Sequence, residues 1–374
     1  LAREAVVCHV TSVHVPTDGR ILYHECRSLA KRYRTVLVCR DDGGPRKIQG
    51  VEIRPLPCKR GRLARFLGAS EIVGAAEHVD ADLYHFHDPE LLPVMRRFAR
   101  RTGKPIVYDA HEHYPDAMDQ KAWIPAPLRP LAAAFADHTE RAAVPGLSAV
   151  VVADAALKER FAALHGRVVE LDNYPPLSLF GEPHVPPPGP PTMMYVGSIS
   201  AVRGFYDMIA TLELVRADLP DARLVVYGSP TEEVAGAFDR VMATLPDGAL
   251  ELRGPIAYED VPAALGEANV GLSLLRPHPK YHKNVSTKVF DYMAGGVPYV
   301  ASSFHPLRAV TGGVGGELVR PGDPVAAAQA VFHLLSEPLA AQRTGLAGRR
   351  LVEERLNWES MEERLFGLYE TLLA

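Results

Sequence analysis

Cysteine is scarce in this chain. Four occur in 374 residues, Cys8, Cys26, Cys39 and Cys58, with no close pair among them. That spacing excludes a cysteine zinc knuckle and a disulfide framework, and buried, reduced thiols are expected. Long apolar runs are also missing. None reaches the roughly 18 residues that a membrane-spanning helix needs. The stretch Leu1-Ala2-Arg3-Glu4 leads into a strand-like run without a signal-peptide pattern, so the expected compartment is the cytoplasm. Two motifs are absent. There is no His-Glu-x-x-His, which removes the helical zinc-protease pattern, and no Gly-x-Gly-x-x-Gly, which removes the dinucleotide fingerprint. Hydrophobic residues at 47% and charged residues at 23% exclude a disordered chain.

What is present is enough for two cores, since 374 residues exceed one typical domain. The net charge of -4 conceals an uneven distribution. Residues 1–110 hold 19 Lys and Arg against 13 Asp and Glu, while the remainder holds 22 against 32. The basic excess gathers at Lys59, Arg60, Arg62 and Arg65 and at Arg96, Arg97, Arg100, Arg101 and Lys104. Such clusters read as a solvated face or as a surface for anionic lipid or a phosphorylated substrate. No nucleic-acid partner is expected.

Apolar runs at 5–10, 35–39, 82–86, 105–109 and 149–153 alternate with helical patterns, the first of them at 21–31, which predicts a doubly wound α/β domain with a parallel sheet. Ligands of such sheets bind beyond the carboxyl ends of the strands. The residues there are polar. They include Asp18, Gly19 and Arg20 after the first run, His85, His87, Asp88 and Glu90 after the third, and Asp109, His111, Glu112, His113 and Asp116 after the fourth. His111 and His113 lie two apart, which does not suit a helical metal site, and no metal is expected. Contacts to sugar hydroxyls, acid–base chemistry or plain capping of helices and loops account for these side chains.

Between 173 and 191 there are eight prolines. That density predicts an extended, semi-rigid connector without helix or central strand. A second alternating series follows, with strand candidates at 193–196, 223–227, 251–252, 269–274, 297–301 and 316–319. The first ends in a turn containing Gly197, Arg203 and Gly204, an anion-binding candidate. Later comes Lys283-Asn284-Val285-Ser286-Thr287-Lys288-Val289-Phe290-Asp291-Tyr292-Met293-Ala294-Gly295-Gly296. Ser286 and Thr287 predict a helix start and Gly295 and Gly296 its end, so backbone N–H groups and Lys288 face one point that suits a phosphate. Asp291 lies one turn on, where a carboxylate accepts bonds from sugar hydroxyls.

The combination of Tyr195-Val196-Gly197, Arg203-Gly204, Tyr227-Gly228-Ser229, Arg253-Gly254-Pro255, the run Lys288 to Pro298 and Trp358-Glu359 resembles the family-four retaining glycosyltransferases of the GT-B fold. The first half agrees through Asp18-Gly19-Arg20-Ile21, His87-Asp88-Pro89-Glu90 and Tyr108-Asp109-Ala110-His111-Glu112. The resemblance implies two Rossmann-like, doubly wound domains facing a cleft. The expected limits are 1–172 for an acceptor-binding domain, 173–191 for the linker and 192–357 for a nucleotide-sugar-binding domain. A helix at 358–374 is expected to cross back to the first domain.

It further implies metal-independent transfer of a sugar from a nucleoside-diphosphate sugar to a small-molecule, glycan or lipid-linked acceptor, with retention of anomeric configuration. His111, Arg203 and Lys288 are the expected catalytic residues. Gly197, Gly204, Gly254, Pro255, Val285, Ser286, Thr287 and Asp291 are expected at the donor, and Asp18, Gly19, Arg20, His87 and Glu112 at the acceptor. No cofactor is expected beyond the co-substrate. The chain departs from the family pattern at Lys283, where the first glutamate of a pair is usual, at Asp291, which shortens the second, and at Ser198, which replaces an arginine. A nucleotide-sugar epimerase of the same fold and a sugar-nucleotide-binding protein without turnover are the alternatives. Peripheral membrane contact through the basic first domain is the alternative to a purely cytoplasmic protein.

Overall fold

Val, Ile and Leu runs that alternate with helices can bury both faces of a strand only inside a parallel sheet. In the computed structural model, which describes residues 4–59, 61, 68–119, 124–183, 185 and 188–374, the chain forms two such sheets in two units. Unit 1 comprises 1–173 and 360–374, and unit 2 comprises 174–359.

Unit 1 is built on β1 (Val6–Val10), β2 (Arg34–Arg40), β3 (Arg46–Ile48), β4 (Val51–Leu56), β5 (Leu83–Phe86), β6 (Ile106–Ala110), β7 (Ala149–Val152) and β8 (Val168–Glu170). Their order is β3-β4-β2-β1-β5-β6-β7-β8. All five expected strands form. The expectation of a purely parallel sheet fails at one edge, where β3 pairs antiparallel to β4. These two form a short hairpin turned by Gln49 and Gly50, both at positive φ, and its polar, Pro-containing sequence gave no apolar signal. The expected helix at 21–31 begins instead as a π-helix over Gly19–Cys26 and continues as one α-turn over Arg27–Leu29. The thiol expectation holds for Cys8, Cys26 and Cys39, whereas Cys58 is exposed. Of the basic cluster, Lys59 pairs with Glu71 and Arg101 with Glu77, while Arg60, Arg62 and Arg65 lie outside the described residues.

Alternation along the unit 1 strands separates two chemistries. Val6, Cys8, Val10, Tyr84, Phe86, Ile106, Tyr108, Ala110, Val150 and Val152 enter one hydrophobic core. The opposite face carries His9, His85 and Asp109, all fully buried. Because β1 and β5 are neighbours with His9 in register with His85, this polar row lies at the point where the strand order reverses, the usual ligand crevice of such sheets.

Unit 2 contains β9 (Thr192–Val196), β10 (Arg223–Tyr227), β11 (Leu250–Leu252), β12 (Val270–Ser273), β13 (Tyr299–Ser302) and β14 (Gly316–Val319). Their order is β11-β10-β9-β12-β13-β14, every pair being parallel. All six expected strands are found, and the order reverses between β9 and β12. The expected helix-free linker needs correction. Leu177–Phe180 is a helical turn lying between Pro176 and Pro183. Prolines flank it without entering it, Phe180 is buried, and the Glu359 carboxylate accepts from the N–H groups of Leu177 and Ser178. This segment groups with unit 2. The last helix, Trp358–Leu373, begins in residues of unit 2 and ends in residues of unit 1. Among the described residues, no helix is long and apolar enough to cross a membrane.

Candidate functional site

In unit 1 the polar strand ends converge on one carboxylate. Asp109 is fully buried and receives Arg20 through two parallel bonds, Nε to Oδ2 and Nη2 to Oδ1, each 2.8 Å. His87 Nδ1 lies 3.1 Å and His111 Nε2 2.7 Å from the same Oδ2. Burial alone would raise the Asp109 carboxyl, but the Arg20 charge, His111 and His87 hold it well below the ordinary carboxylate range. It is therefore an anion that only accepts. The remaining Arg20 nitrogen donates to Leu171 O and Asn173 Oδ1, each at 2.8 Å.

Two acceptor-site expectations are revised by this geometry. Arg20 is 7% exposed and its three nitrogens are committed to Asp109, Leu171 and Asn173, so it organises the site. His87 is 2% exposed and sits between Asp109 and His9, so it too acts from behind. Asp18 caps the Gly19–Cys26 helix by accepting from the N–H groups of Arg20 and Ile21. It also meets His14 Nδ1 at 3.0 Å. His14, absent from the expected site residues, stands 5.1 Å from His111 between ring centres. Burial would lower its pKa, but the bond to Asp18 and the charges of Asp88, Asp18 and Asp109 push it up to about 9. His14, His111, Asp18 and Glu112 are half-buried and form the accessible edge of the cluster. Asp88 holds the β1 exit by accepting from Thr11 Oγ1 and the Ser12 N–H.

His87, Asp109 and His111 have spacing that a metal ion could use. The Asp109 charge is already balanced by Arg20 at 2.8 Å, so no further cation is needed to neutralise it.

In unit 2 the loop after β9 and the helix Thr287–Gly295 share one point. Gly197, at φ +134°, is where the Lys288 side chain lies: a Cβ there would sit 2.6 Å from Lys288 Cε and 3.0 Å from Nζ. The Lys288 ammonium also stands 5.4 Å from the Tyr195 ring centre. Arg203 bonds the Ser198 hydroxyl. Burial and the neighbouring Arg203 charge lower the Lys288 pKa to about 8, against a smaller opposing effect of Asp291. Asp291 is raised to about 7 by burial, although the Tyr258 hydroxyl, 2.9 Å from Oδ1, and Lys288 favour its charged form.

Ser286 occupies the cap position of the Thr287–Gly295 helix, as expected, but its hydroxyl does not cap. It lies 2.8 Å from the Ser273 hydroxyl at the end of β12. Gly296 ends the helix in the left-handed conformation at φ +72°. Gly254 turns at φ +74° beside Pro255, while Arg253 is tied to Tyr227 and Glu267 and so braces that turn. Val285 is half-buried and Thr287 exposed at the mouth of the helix.

Gly204 ties the two loops together. It begins the helix Phe205–Asp218 at φ +85°, and a Cβ there would fall 1.8 Å from Leu274 O. Gly204→Ala is expected to lower stability by about 1–3 kcal/mol through backbone strain and overpacking. Gly19→Ala, where no atom lies within 4 Å of an added Cβ, should be close to neutral. Urea unfolding of both variants checks the contrast.

Comparison with known proteins agrees with this division. Residues 19–170 match the model described as Glycosyltransferase Family 4, and residues 190–337 match Glycosyl transferases group 1. The chain is 27% identical over 177 residues to a glycogen synthase of Mycobacterium tuberculosis, covering 47% of this chain and 41% of that protein. It thus spans less than half the length of this curated relative. Among solved structures it resembles a sucrose-phosphate synthase from Thermosynechococcus elongatus, with a TM-score of 0.75, 19% identity and coverage of 98% of this chain and 99% of the other. It also resembles Anabaena HepE, solved in complex with UDP-glucose, with a TM-score of 0.73, 13% identity and the same coverages. The fold is GT-B, with two Rossmann-like units, each matched in part by a glycosyltransferase family model.

Proposed function

We propose that the protein is a glycosyltransferase that moves a sugar from a nucleoside-diphosphate sugar to an acceptor with retention of configuration and without a metal. The observation that carries the reading is the convergence of two cations on the loop after β9, Lys288 lying against Gly197 and Arg203 bonded to the adjacent Ser198, with the Arg203 charge lowering the Lys288 pKa. Such a pair is relieved by an anion, and a departing diphosphate supplies one. Negative charge grows on that group as the glycosidic bond breaks, so both cations stabilise the transition state more than the ground state. They occupy the place a metal would otherwise take at the diphosphate. Asp291, one helical turn beyond Lys288, accepts from the ribose hydroxyls. In unit 1, His111 orients the sugar, with its Nε2 proton held by Asp109, and His14, Asp18 and Glu112 meet the acceptor. The departing phosphate takes the acceptor proton. The glycogen synthase match and the UDP-glucose bound to HepE support a nucleotide-sugar donor.

Anomer-resolved NMR of products from UDP- and GDP-sugars with sugar and lipid-linked acceptors, in EDTA, tests the reading. A retained glycosidic product is expected. An inverted product removes retention, and turnover that needs magnesium or manganese removes metal independence. An isomerised nucleotide sugar without acceptor transfer would make the protein an epimerase, and binding without product would make it a non-catalytic binder.

The two perturbed groups predict how donor affinity depends on pH. Lys288 must be protonated to hold the diphosphate, which requires a pH below about 8. Asp291 must be ionised to accept two hydroxyls, which requires a pH above about 7. UDP affinity measured calorimetrically from pH 6 to 9.5 is therefore expected to peak between these values. In Lys288→Met the alkaline fall should disappear, and in Asp291→Asn the acidic one.

A further inference from the structure

The polar face of the unit 1 sheet contains more histidine than the acceptor edge uses. His9, His85 and His87 are all buried, and Tyr369 of the last helix joins them. His87 Nε2 lies 3.0 Å from His9 Nδ1, His9 Nε2 lies 3.0 Å from the Tyr369 hydroxyl, and that hydroxyl lies 2.9 Å from His85 Nδ1. The polarity of this chain follows from its outer end. His87 Nδ1 lies 3.1 Å from both Asp109 Oδ2 and His111 Nε2; His111 Nε2 is closer to Asp109, at 2.7 Å, and an anion can only accept, so His87 presents Nδ1–H to Asp109 and keeps Nε2 bare. A bare His87 Nε2 requires a proton on His9 Nδ1, which leaves His9 Nε2 bare for the Tyr369 O–H. The tyrosine oxygen then accepts from His85 Nδ1–H. The chain ends at His85 Nε2, which has no hydrogen-bond partner among the described residues.

We propose that His9, backed by Tyr369 and His85, is a positioning residue whose Nδ1–H holds His87 in its Nδ1–H form and so reserves the charge of Asp109 for Arg20 and His111. A second proton on His87 would compete for Asp109, and the His9 donor blocks it by occupying the Nε2 lone pair. Burial lowers the pKa of all three rings in the same sense. The groups facing His87 are His9 from β1, His85 stacked on it from β5, Asp109 and His111 from β6 and its exit, and Asp88 beside it. Those facing the Tyr369 end are Glu25 and Cys26 from the helix above the sheet, and Tyr33.

His9, Glu25 and His85 also have spacing a metal could use, with Glu25 Oε2 at 3.9 and 3.7 Å from the two Nδ1 atoms. Both Nδ1 atoms are engaged in the chain, and burial with the nearby Asp109 charge raises the Glu25 carboxyl well above its ordinary range. A neutral carboxyl offers a cation little.

The test reads histidine protonation directly and does not depend on which reaction the protein catalyses. Long-range nitrogen–proton NMR of the 15N-labelled protein at pH 7.5 should show a protonated Nδ1 and a bare Nε2 on His9, His85 and His87. Tyr369→Phe should scramble the tautomer of His85 while leaving His9 and His87 unchanged. His9→Leu should make His87 take its second proton at a higher pH than in the unaltered protein. His9→Asn, whose amide places a donor near the lost Nδ1, should keep it neutral. A proton on Nε2 of any of the three rings in the unaltered protein overturns the proposal, as does a His87 titration unmoved in His9→Leu. One equivalent of Zn2+ that strips the Nδ1 protons overturns it in favour of a metal site.

Discussion

Asp109→Asn is expected to lose about 3–5 kcal/mol of folding stability, the cost of leaving a buried charge without its partner. The partner is Arg20, 7% exposed and bonded to both oxygens of Asp109. An amide cannot accept at both positions, and the guanidinium is largely shielded from water. The sign of the pH dependence follows from the direction of the shift. The Asp109 pKa is depressed in the folded protein, so its contribution is present above the unfolded value of about 3.9 and is lost as pH falls through the folded value. Urea unfolding should therefore show a wide gap between the two proteins at pH 7 that narrows in acid. Glu52→Gln removes a pair of similar geometry, Arg34 with Glu52, from an exposed position, and its cost should stay below about 1 kcal/mol. Equal losses for the two variants would mean that burial of Asp109 is not what makes it valuable. Activity of Asp109→Asn should fall too, because His111 loses the acceptor at 2.7 Å that fixes its Nε2 proton.

Asp109 also shows where the sequence was readable and where it was not. Period-two strands are visible in the alternation Val7, His9 and Leu83, His85, His87 and Val107, Asp109, His111, and that alternation already marks one polar face. Read as residues that merely follow apolar runs, they suggested contacts with ligand. The structure places most of them inside, because β1, β5 and β6 are adjacent and the Gly19–Cys26 helix and Tyr369 cover them. Adjacency of strands and a partner more than 280 residues away, such as Tyr369 for His85, are set by topology and have no local signal. The strands of unit 2 and the helix Thr287–Gly295 were legible because their signals are local: branched apolar runs, apolar residues at helical spacing and a terminal glycine pair. The hairpin β3–β4 and the turn Leu177–Phe180 were not. Their sequences are short and polar or enclosed by proline, and what stabilises them is a neighbour, Glu359 in the second case.

The donor site separates two kinds of effect that kinetics can distinguish. Arg203 and Lys288 meet the group on which charge develops, so removing either should raise the barrier by about 2–4 kcal/mol, the loss seen when one preorganised donor to an oxyanion is deleted. Removing both should cost more than the sum of the two single losses. With Arg203 gone, Lys288 is released from the like charge that lowers its pKa, and a more fully protonated lysine compensates in part. Asp291 meets a neutral hydroxyl whose bonding changes little during the reaction, so Asp291→Asn should weaken donor binding by about 1–3 kcal/mol and leave turnover at saturating donor nearly intact. Removing this carboxylate also removes a charge that favours protonation of Lys288, so part of the binding loss should appear as a fall in the pH above which UDP is released. Steady-state kinetics with saturating acceptor decides the assignment: if Asp291→Asn costs turnover while Arg203→Ala costs only donor affinity, the carboxylate belongs at the reacting carbon and the arginine at the nucleoside.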